Sequence, residues 1–240
     1  MVEFFADSLV NGFWQSSMMG KGIVVVQILA SIVMVAVIIG KVKELASTGR
    51  LARRVSRDVM TGRDVLEYYL ARHPNFRSPI ENIYHGTCDR LFKLLSPDAR
   101  TSFSRGAGPQ GSALTRNEIE LVKSHCEHIL DEEELRAEHG MGAIATVVAL
   151  APMLGLLGTV WGVLDAFAEM GSAGSANLAT IAPSISSALV TTVVGLLIAI
   201  PGVIAFNQMN AMIRSVTSDM EGFADELIGR VACEFQGRGA

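Results

Sequence analysis

Three long apolar blocks interrupt an otherwise polar sequence of 240 residues. The first block covers residues 22–40, in which Gln27 and Ser31 are the only clearly polar side chains. The second block covers residues 144–168 and the third covers residues 183–206. Because a helix needs about 20 apolar residues to cross the hydrocarbon core of a bilayer, the pattern predicts three transmembrane helices.

Pro152 lies inside the second of these blocks and Pro201 inside the third, which begins at a further proline, Pro183. Proline would interrupt a helix in water. Membrane helices tolerate it where neighbouring helices satisfy the freed carbonyl groups. We therefore keep both blocks as single helices and expect Pro152 and Pro201 at helix-packing positions.

The segments between and after the apolar blocks carry nearly all of the charge. Apolar residues at near-helical spacing over residues 55–70 predict that the first helix continues until Arg72-His73-Pro74 ends it. We further expect a helix over residues 79–95, a loop over residues 96–112 because of its prolines and glycines, and a helix that begins at Thr115. After the third block, apolar residues at steps of three and four predict a packing face formed by Met209, Met212, Ile213, Val216, Met220, Phe223 and Leu227.

Basic residues lie mainly on one side of the predicted spans. Lys41, Lys43 and four arginines closely follow the first block, whereas only Lys21 precedes it, and residues 169–182 contain no Lys or Arg. Because Lys and Arg are enriched on the cytoplasmic side, we expect the N-terminus in the periplasm and the C-terminus in the cytoplasm of a bacterium. The expected fold is all-α and polytopic, with three transmembrane helices extended into a cytoplasmic helical bundle. Its expected segments are periplasmic 1–21, transmembrane 22–40, cytoplasmic 41–143, transmembrane 144–168, periplasmic 169–182, transmembrane 183–206 and cytoplasmic 207–240.

Composition agrees with this class of protein and argues against others. Half of the residues are hydrophobic and 18% are charged, whereas soluble domains are about one-quarter charged. A net charge of −4 argues against a nucleic-acid partner. The three cysteines have no disulfide or metal spacing, and no second ligand pair accompanies His125 and His128. We therefore expect no metal and no cofactor, and no nucleotide-binding or nucleophile motif favours an enzyme.

Small and polar residues form one face of the second and third spans. Small residues let helices approach closely, and hydroxyls can hydrogen-bond across the interface, so helix packing alone is a sufficient explanation of these stripes. Glycines are the small residues that we assign to packing. The stripe of the second span is Gly155, Gly158, Thr159, Gly162 and Asp165 or Ala166, and that of the third is Ser184, Ser187, Ala188, Thr191, Thr192, Gly195 and Ala199.

Thr159 and Thr192 are expected at the same depth in the membrane. Each is about nine residues from the outer end of its span, roughly 13 Å at 1.5 Å per residue. In a ring of subunits, such hydroxyls would form a belt that can hydrogen-bond water or a protonatable group. Asp165, about one turn from the outer end, is either a group that gathers cations or an interfacial residue in contact with headgroups and water.

The second and third spans resemble the TolQ/ExbB branch of the MotA/TolQ/ExbB proton channel family. The resemblance covers residues 151–167, with their Gly-Leu-Leu-Gly-Thr-Val-Trp-Gly core. It continues in the third span with Ile181-Ala182-Pro183, Ala188-Leu189, Thr191-Thr192, Gly195-Leu196, Ala199-Ile200-Pro201 and Asn207. The resemblance implies a homo-oligomeric ring, a pentamer, around the transmembrane helices of a single-span partner like TolR or ExbD. It also implies that an aspartate of the partner carries the proton and that threonines at the positions of Thr159 and Thr192 line its path.

One position departs from the family pattern. Many TolQ and ExbB sequences have a glutamate five residues before the second threonine, where this chain has Ser187. Serine can still hydrate the path, but sodium then remains an alternative to the proton as the driving ion. The candidate ion-pathway residues are Thr159, Thr192, Thr191, Ser187 and Asp165.

The resemblance implies a motor in the bacterial inner membrane that converts proton uptake into rotation of partner against ring. The first hypothesis is a TolQ-like subunit of a Tol-Pal system, which maintains the cell envelope with a TolA-like or TonB-like protein. One alternative is an ExbB-like subunit that powers TonB-dependent nutrient uptake. The other is a passive scaffold in the lipid, in which the small-residue stripes only pack helices.

Overall fold

The computed structural model describes residues 13–14, 16–61, 64–71, 78–104, 113–173 and 178–235. Within them we number seven helices: α1 Met18–Thr61, α2 Glu67–Ala71, α3 Pro79–Leu94, α4 Pro97–Ser104, α5 Arg116–Glu138, α6 Met141–Ala173 and α7 Leu178–Phe235. The expected all-α fold is confirmed for these residues. Among the described residues, three helical segments are long and apolar enough to cross a membrane, Met18–Leu45, Arg116–Ser172 and Ile181–Phe235.

The described residues form two compact units, and the first lies within Met1–Lys41 and Gly140–Asn210. Large apolar side chains such as Leu29, Phe167 and Ile204 are more than half exposed there, while the small Ala151 and Ala188 are buried. This distribution is typical of membrane helices, which pack through small residues and present large apolar ones to lipid or to neighbouring chains.

The second unit lies within Val42–His139 and Ala211–Ala240 and has the core of a water-soluble bundle. Tyr84, Leu91, Val122 and Leu227 have no exposed surface there. The Tyr84 hydroxyl donates to the Val65 carbonyl at 2.5 Å and accepts the backbone N–H of Tyr69 at 3.0 Å. Burial raises the pKa of the Tyr84 phenol, so this side chain stays neutral and keeps its donor.

Helix α1 ends at Thr61, so the expectation that it continues to Arg72 is wrong. Tertiary hydrogen bonds replace the helical ones just beyond this end. The Val65 N–H donates to the Glu234 carboxylate at 2.9 Å, and Arg230 Nη1 donates to the Val59 carbonyl at 2.8 Å. Arg230 thereby satisfies one of the last four carbonyls of α1, which have no partner within the helix. Residues 72–77, where the sequence placed the helix end, lie outside the described residues.

The helices expected over residues 79–95 and after Thr115, and the loop expected between them, are partly confirmed. Helix α3 confirms the element expected over residues 79–95, and α5 begins after Thr115 with a capping box shared with Glu118. The loop expected over residues 96–112 is wrong for Pro97–Ser104, which is helical. Proline is favoured at the first helical position, and the Ser96 hydroxyl accepts the Ala99 N–H at 3.3 Å. Residues 105–112 lie outside the described residues.

The apolar face expected after the third span packs within the chain itself. Met209 is buried in the first unit. The second unit buries Ile213, Met220, Phe223 and Leu227 from the same helix. The packing face predicted by the spacing is therefore confirmed, with Met212 and Val216 at its half-buried margin.

Candidate functional site

Helices α6 and α7 approach each other closely in the first unit because glycines line their contact. A Cβ on Gly155 would lie 2.8 Å from the Thr192 Cα, and one on Gly195 would lie 2.5 Å from the Ala151 carbonyl oxygen. A Cβ on Gly158 would overlap the Thr191 side chain, and one on Gly162 would overlap that of Ala188. The four glycines assigned to packing thus lie where the two backbones come closest.

Thr159 and Thr192 form a hydroxyl pair across this contact. Their Oγ1 atoms hydrogen-bond each other, and each also lies within hydrogen-bond distance of the Gly155 carbonyl, at 3.1 and 3.0 Å. Each hydroxyl has one proton and two acceptor lone pairs. One threonine therefore donates to the other, which donates to a backbone carbonyl, and the direction of this short chain can reverse. Both side chains are half-buried.

The neighbouring Thr191 and Ser187 are placed differently from this pair. Thr191 is 1% exposed. Its hydroxyl lies within hydrogen-bond distance of two carbonyl groups, that of Ala188 at 2.7 Å and that of Gly155 at 3.1 Å, and can donate its proton to either. Ser187 is 5% exposed and donates to the Ser184 carbonyl at 2.9 Å. Both hydroxyls of these buried residues are therefore bonded to backbone carbonyls.

Asp165 lines a polar cavity of about 310 Å³ near one end of the α6–α7 contact. Glu169 follows Asp165 by one helical turn, and its carboxylate accepts the Ser184 hydroxyl at 2.8 Å. Sequence reasoning left Glu169 out of the site, although its four-residue spacing from Asp165 places the two carboxylates on one helix face. The cavity brings together Ser17, Gly162, Asp165, Ala168, Glu169, Ser184 and Ser187.

Pro152 and Pro201 have different surroundings. Pro152 is half-buried within α6, whereas Pro201 is exposed and lines an apolar groove of about 380 Å³ between α1 and α7. Gly202 beside it is buried, and a Cβ there would lie 3.0 Å from the Met34 sulfur. α1 and α7 therefore also approach closely at this level.

Gln27 is the residue whose role sequence reasoning missed. Its side chain has no exposed surface. The Nε2 amide donates to the Ala151 carbonyl of α6 at 3.0 Å and to the Thr191 carbonyl of α7 at 3.3 Å. The available signal was a lone amide in an apolar span, since a buried polar group needs hydrogen-bond partners.

Metal-ligating residues are dispersed in the part of the chain that the structure describes. No group of three or more His, Cys, Asp or Glu side chains there could hold a metal ion. His128 Nε2 lies 3.5 Å from the Glu132 carboxylate, an ordinary pair one helical turn apart on an exposed face.

The fold and this polar contact between apolar helices define a multi-pass membrane protein. The profile of the MotA/TolQ/ExbB proton channel family matches residues 99–222, more than half of the chain. The chain belongs to this family, and its relatives confirm the TolQ/ExbB branch.

Three relatives differ in identity and coverage. The chain is 28% identical over 218 residues to the Tol-Pal system protein TolQ of Haemophilus influenzae, which covers 89% of each chain. It is 32% identical over 160 residues to the biopolymer transport protein ExbB of Xanthomonas campestris, 64% of this chain and 62% of that protein. It is 41% identical over 92 residues to ExbB of Neisseria gonorrhoeae, 38% of this chain and 42% of that protein. The match thus spans less than two-thirds of either ExbB.

Proposed function

We propose that this chain is a ring-forming subunit of a proton-driven motor in the bacterial inner membrane. In this proposal a pentameric ring surrounds the transmembrane helices of a single-span partner of the TolR/ExbD kind. The observation that carries the proposal is the half-buried pair of Thr159 and Thr192. It lies in an apolar unit of a chain from a proton channel family.

The hydroxyl pair suits a partner carboxyl group that changes its protonation state. A protonated carboxyl can donate to a threonine lone pair, while a carboxylate needs a donor, which either threonine supplies by turning its proton outward. The bond between the two threonines can reverse its direction, so the other threonine then donates to the one that has turned outward. The pair can thus serve both states without ionising, so the charge stays on the partner.

Ions would reach the pair from the cavity that contains Asp165 and Glu169. The basic residues around the first span favour a periplasmic position for residues 169–182, and in this proposal the cavity is therefore at the periplasmic end. Two carboxylates there would raise the local concentration of cations. The Ser187 hydroxyl lines the same cavity and would help to hydrate the path.

The TolQ-like role is favoured over the ExbB-like role by the extent of the similarity. The Haemophilus TolQ aligns with 89% of this chain, whereas the more identical ExbB segments are shorter. Expression in a strain that lacks TolQ should restore resistance to detergent. Restored TonB-dependent uptake in a strain that lacks ExbB, without restored detergent resistance, would instead establish the ExbB-like role.

The ion path is tested by co-expression with the single-span membrane protein encoded nearest to this chain. Cytoplasmic acidification is recorded after an external acid pulse in sodium-free buffer. Thr192→Val should abolish most of the acidification, because valine matches threonine in shape but cannot hydrogen-bond. Thr191→Val is the matched control and should retain it, since the hydroxyl of Thr191 is buried against backbone carbonyls.

Equal acidification by the wild type and Thr192→Val, in a verified complex, would contradict a path along the threonine pair and favour the scaffold. If the wild type conducts no protons, the same cells are tested for sodium flux. Sodium flux that depends on Thr192 would support the proposed motor with sodium, instead of the proton, as its driving ion.

A further inference from the structure

We propose that Gln27 of α1 is a positioning residue that fixes the threonine pair between α6 and α7. The flux measurements below rest on the function proposed above, whereas the cross-linking measurement does not. Gln27 is completely buried, although neighbouring residues of α1 such as Val26, Ile28 and Leu29 are about half exposed. α1 therefore directs its amide into the helix contact and its large apolar side chains outward.

The carboxamide of Gln27 joins three helices through one nitrogen atom. An amide NH₂ has two protons, and the structure provides one acceptor for each, the Ala151 carbonyl of α6 and the Thr191 carbonyl of α7. Neither acceptor is a side chain that could change rotamer. The two bonds therefore constrain the backbones of α6 and α7 relative to each other along their axes.

The two carbonyls belong to the same hydrogen-bonded cluster as the hydroxyl pair. Ala151, Gly155 and Thr159 follow each other at four-residue steps and so lie along one face of α6. On α7, the Thr191 carbonyl that Gln27 binds precedes Thr192 directly, and the Thr191 hydroxyl reaches the Gly155 carbonyl. A shift between the helices at Gln27 would therefore change the distance between the Thr159 and Thr192 hydroxyls.

Gly195 makes room for this arrangement. A Cβ at this position would lie 2.5 Å from the Ala151 oxygen and 2.9 Å from the Gln27 nitrogen. Any larger residue would separate the amide from its acceptors or α7 from α6. The glycine and the glutamine thus form one packing unit below the threonine pair.

The hydrogen bonds of Gln27 indicate that its amide positions α6 and α7 more than it stabilises the fold. Its Oε1 atom is buried and has no hydrogen-bond partner among the described residues, which is unfavourable in an apolar surrounding. The Ala151 and Thr191 carbonyls lie inside helices and retain the acceptor role for the N–H four residues later. An apolar side chain of similar length would therefore leave no carbonyl without a donor, and Gln27→Met is expected to fold.

The first measurement is acidification in the verified complex after an acid pulse. Gln27→Met should lower the rate about tenfold, because displacement of reacting groups by an ångström has effects of this size or larger. In the Thr192→Val background, Gln27→Met should cause no further loss. Met34→Leu is the matched control and should keep the wild-type rate, since Met34 packs α1 against Gly202 of α7 without a hydrogen bond.

The second measurement reports the helix register without any flux. In a chain whose native cysteines are replaced by serine, Glu169→Cys and Ser184→Cys place two thiols where the present side chains hydrogen-bond across the α6–α7 contact at 2.8 Å. Oxidative cross-linking, quantified by mass spectrometry, should fall severalfold with Gln27→Met and stay unchanged with Met34→Leu. Gln27→Leu also lacks the N–H donors and should reproduce the Gln27→Met result. It replaces Gln27→Met in this measurement if that variant does not accumulate.

Unchanged cross-linking in both Gln27 variants would overturn the positioning role, whatever happens to the flux. Losses of flux that add to those of Thr192→Val would overturn it as well. If no variant and no wild-type complex carries an ion, the proposed function fails, but the cross-linking result still decides whether Gln27 sets the register of α6 against α7.

Discussion

His85 is a buried titratable residue in the core of the second unit. It is 5% exposed, and its ring centroid lies 5.4 Å from that of Tyr84 and 5.6 Å from that of Tyr69. Burial lowers the pKa of His85 below its ordinary value of 6.5, and the nearby Glu81 carboxylate opposes this shift only in part. The folded protein therefore favours the neutral imidazole.

This lowered pKa predicts acid sensitivity of the second unit. The unfolded chain binds the proton of His85 more tightly than the folded one, so the stabilisation is present above about pH 6.5 and is lost as the pH falls below it. We expect a lower unfolding temperature at pH 5 than at pH 7.5, measured by circular dichroism in detergent. His85→Phe should reduce this difference, while the exposed His128→Gln should keep it. Equal pH dependence of the wild type and His85→Phe would contradict the prediction.

Adjacent residues show what the sequence could and could not predict at this scale. From the sequence, both Thr191 and Thr192 were ion-pathway candidates, and only depth and the family resemblance paired Thr192 with Thr159. Only packing distinguishes the buried Thr191 from the half-buried Thr192. The role of Gln27 was beyond reach for the same reason, because its acceptors are 124 and 164 residues away in the chain.

At the scale of helices, glycine determines how closely α6 and α7 approach. Gly158 has the Thr191 side chain where its Cβ would be, whereas Gly171 of the same helix has nothing within 4 Å of that position. Addition of the same methyl group at the two positions therefore tests the contact with a matched control.

Gly158→Ala is expected to push α7 away from α6 and to separate the threonine pair. Overpacking of a close contact costs about 1–3 kcal/mol, so the unfolding temperature in detergent should fall, together with the acid-pulse flux. Gly171→Ala should be neutral or stabilise the protein by up to about 1 kcal/mol, because alanine is the better helix former. Similar effects of both substitutions would show that the helix contact tolerates a methyl group.

Some helix boundaries are determined by residues nearby in the sequence, and others by residues far away in the sequence. The start of α5 was predictable because its capping box lies within Thr115 to Glu118. The end of α1 was not, because Arg230 and Glu234 of α7, about 170 residues away in sequence, bind the backbone there. Pro97 was misread because proline both terminates helices and begins them.

For the whole molecule, the three apolar blocks were sufficient to predict the fold class. Each block is longer than a buried strand, and its apolar length matches the thickness of the hydrocarbon core of a bilayer. The arrangement of the site depended on helix contacts that no local pattern contains. Orientation in the membrane rests on the distribution of Lys and Arg, which is a sequence argument, and therefore requires its own measurement.

The native cysteines provide this measurement without new reporter residues. Cys88 and Cys126 are buried, and burial raises the pKa of both thiols, so they react slowly with maleimide. Cys233 is exposed near the end of α7, which we place in the cytoplasm. A membrane-impermeant maleimide should therefore label the chain in inverted vesicles and leave it unlabelled in intact spheroplasts, and Cys233→Ser should abolish the labelling.

Labelling in intact spheroplasts would reverse the orientation and the mechanism built on it. The cavity of Asp165 and Glu169 lies in the first unit. In the sequence, one predicted span separates Glu169 from Cys233. A periplasmic Cys233 would place this cavity in the cytoplasm, where its carboxylates would meet ions leaving the threonine pair. The side at which Cys233 reacts therefore tests the direction of proton entry in the proposed motor.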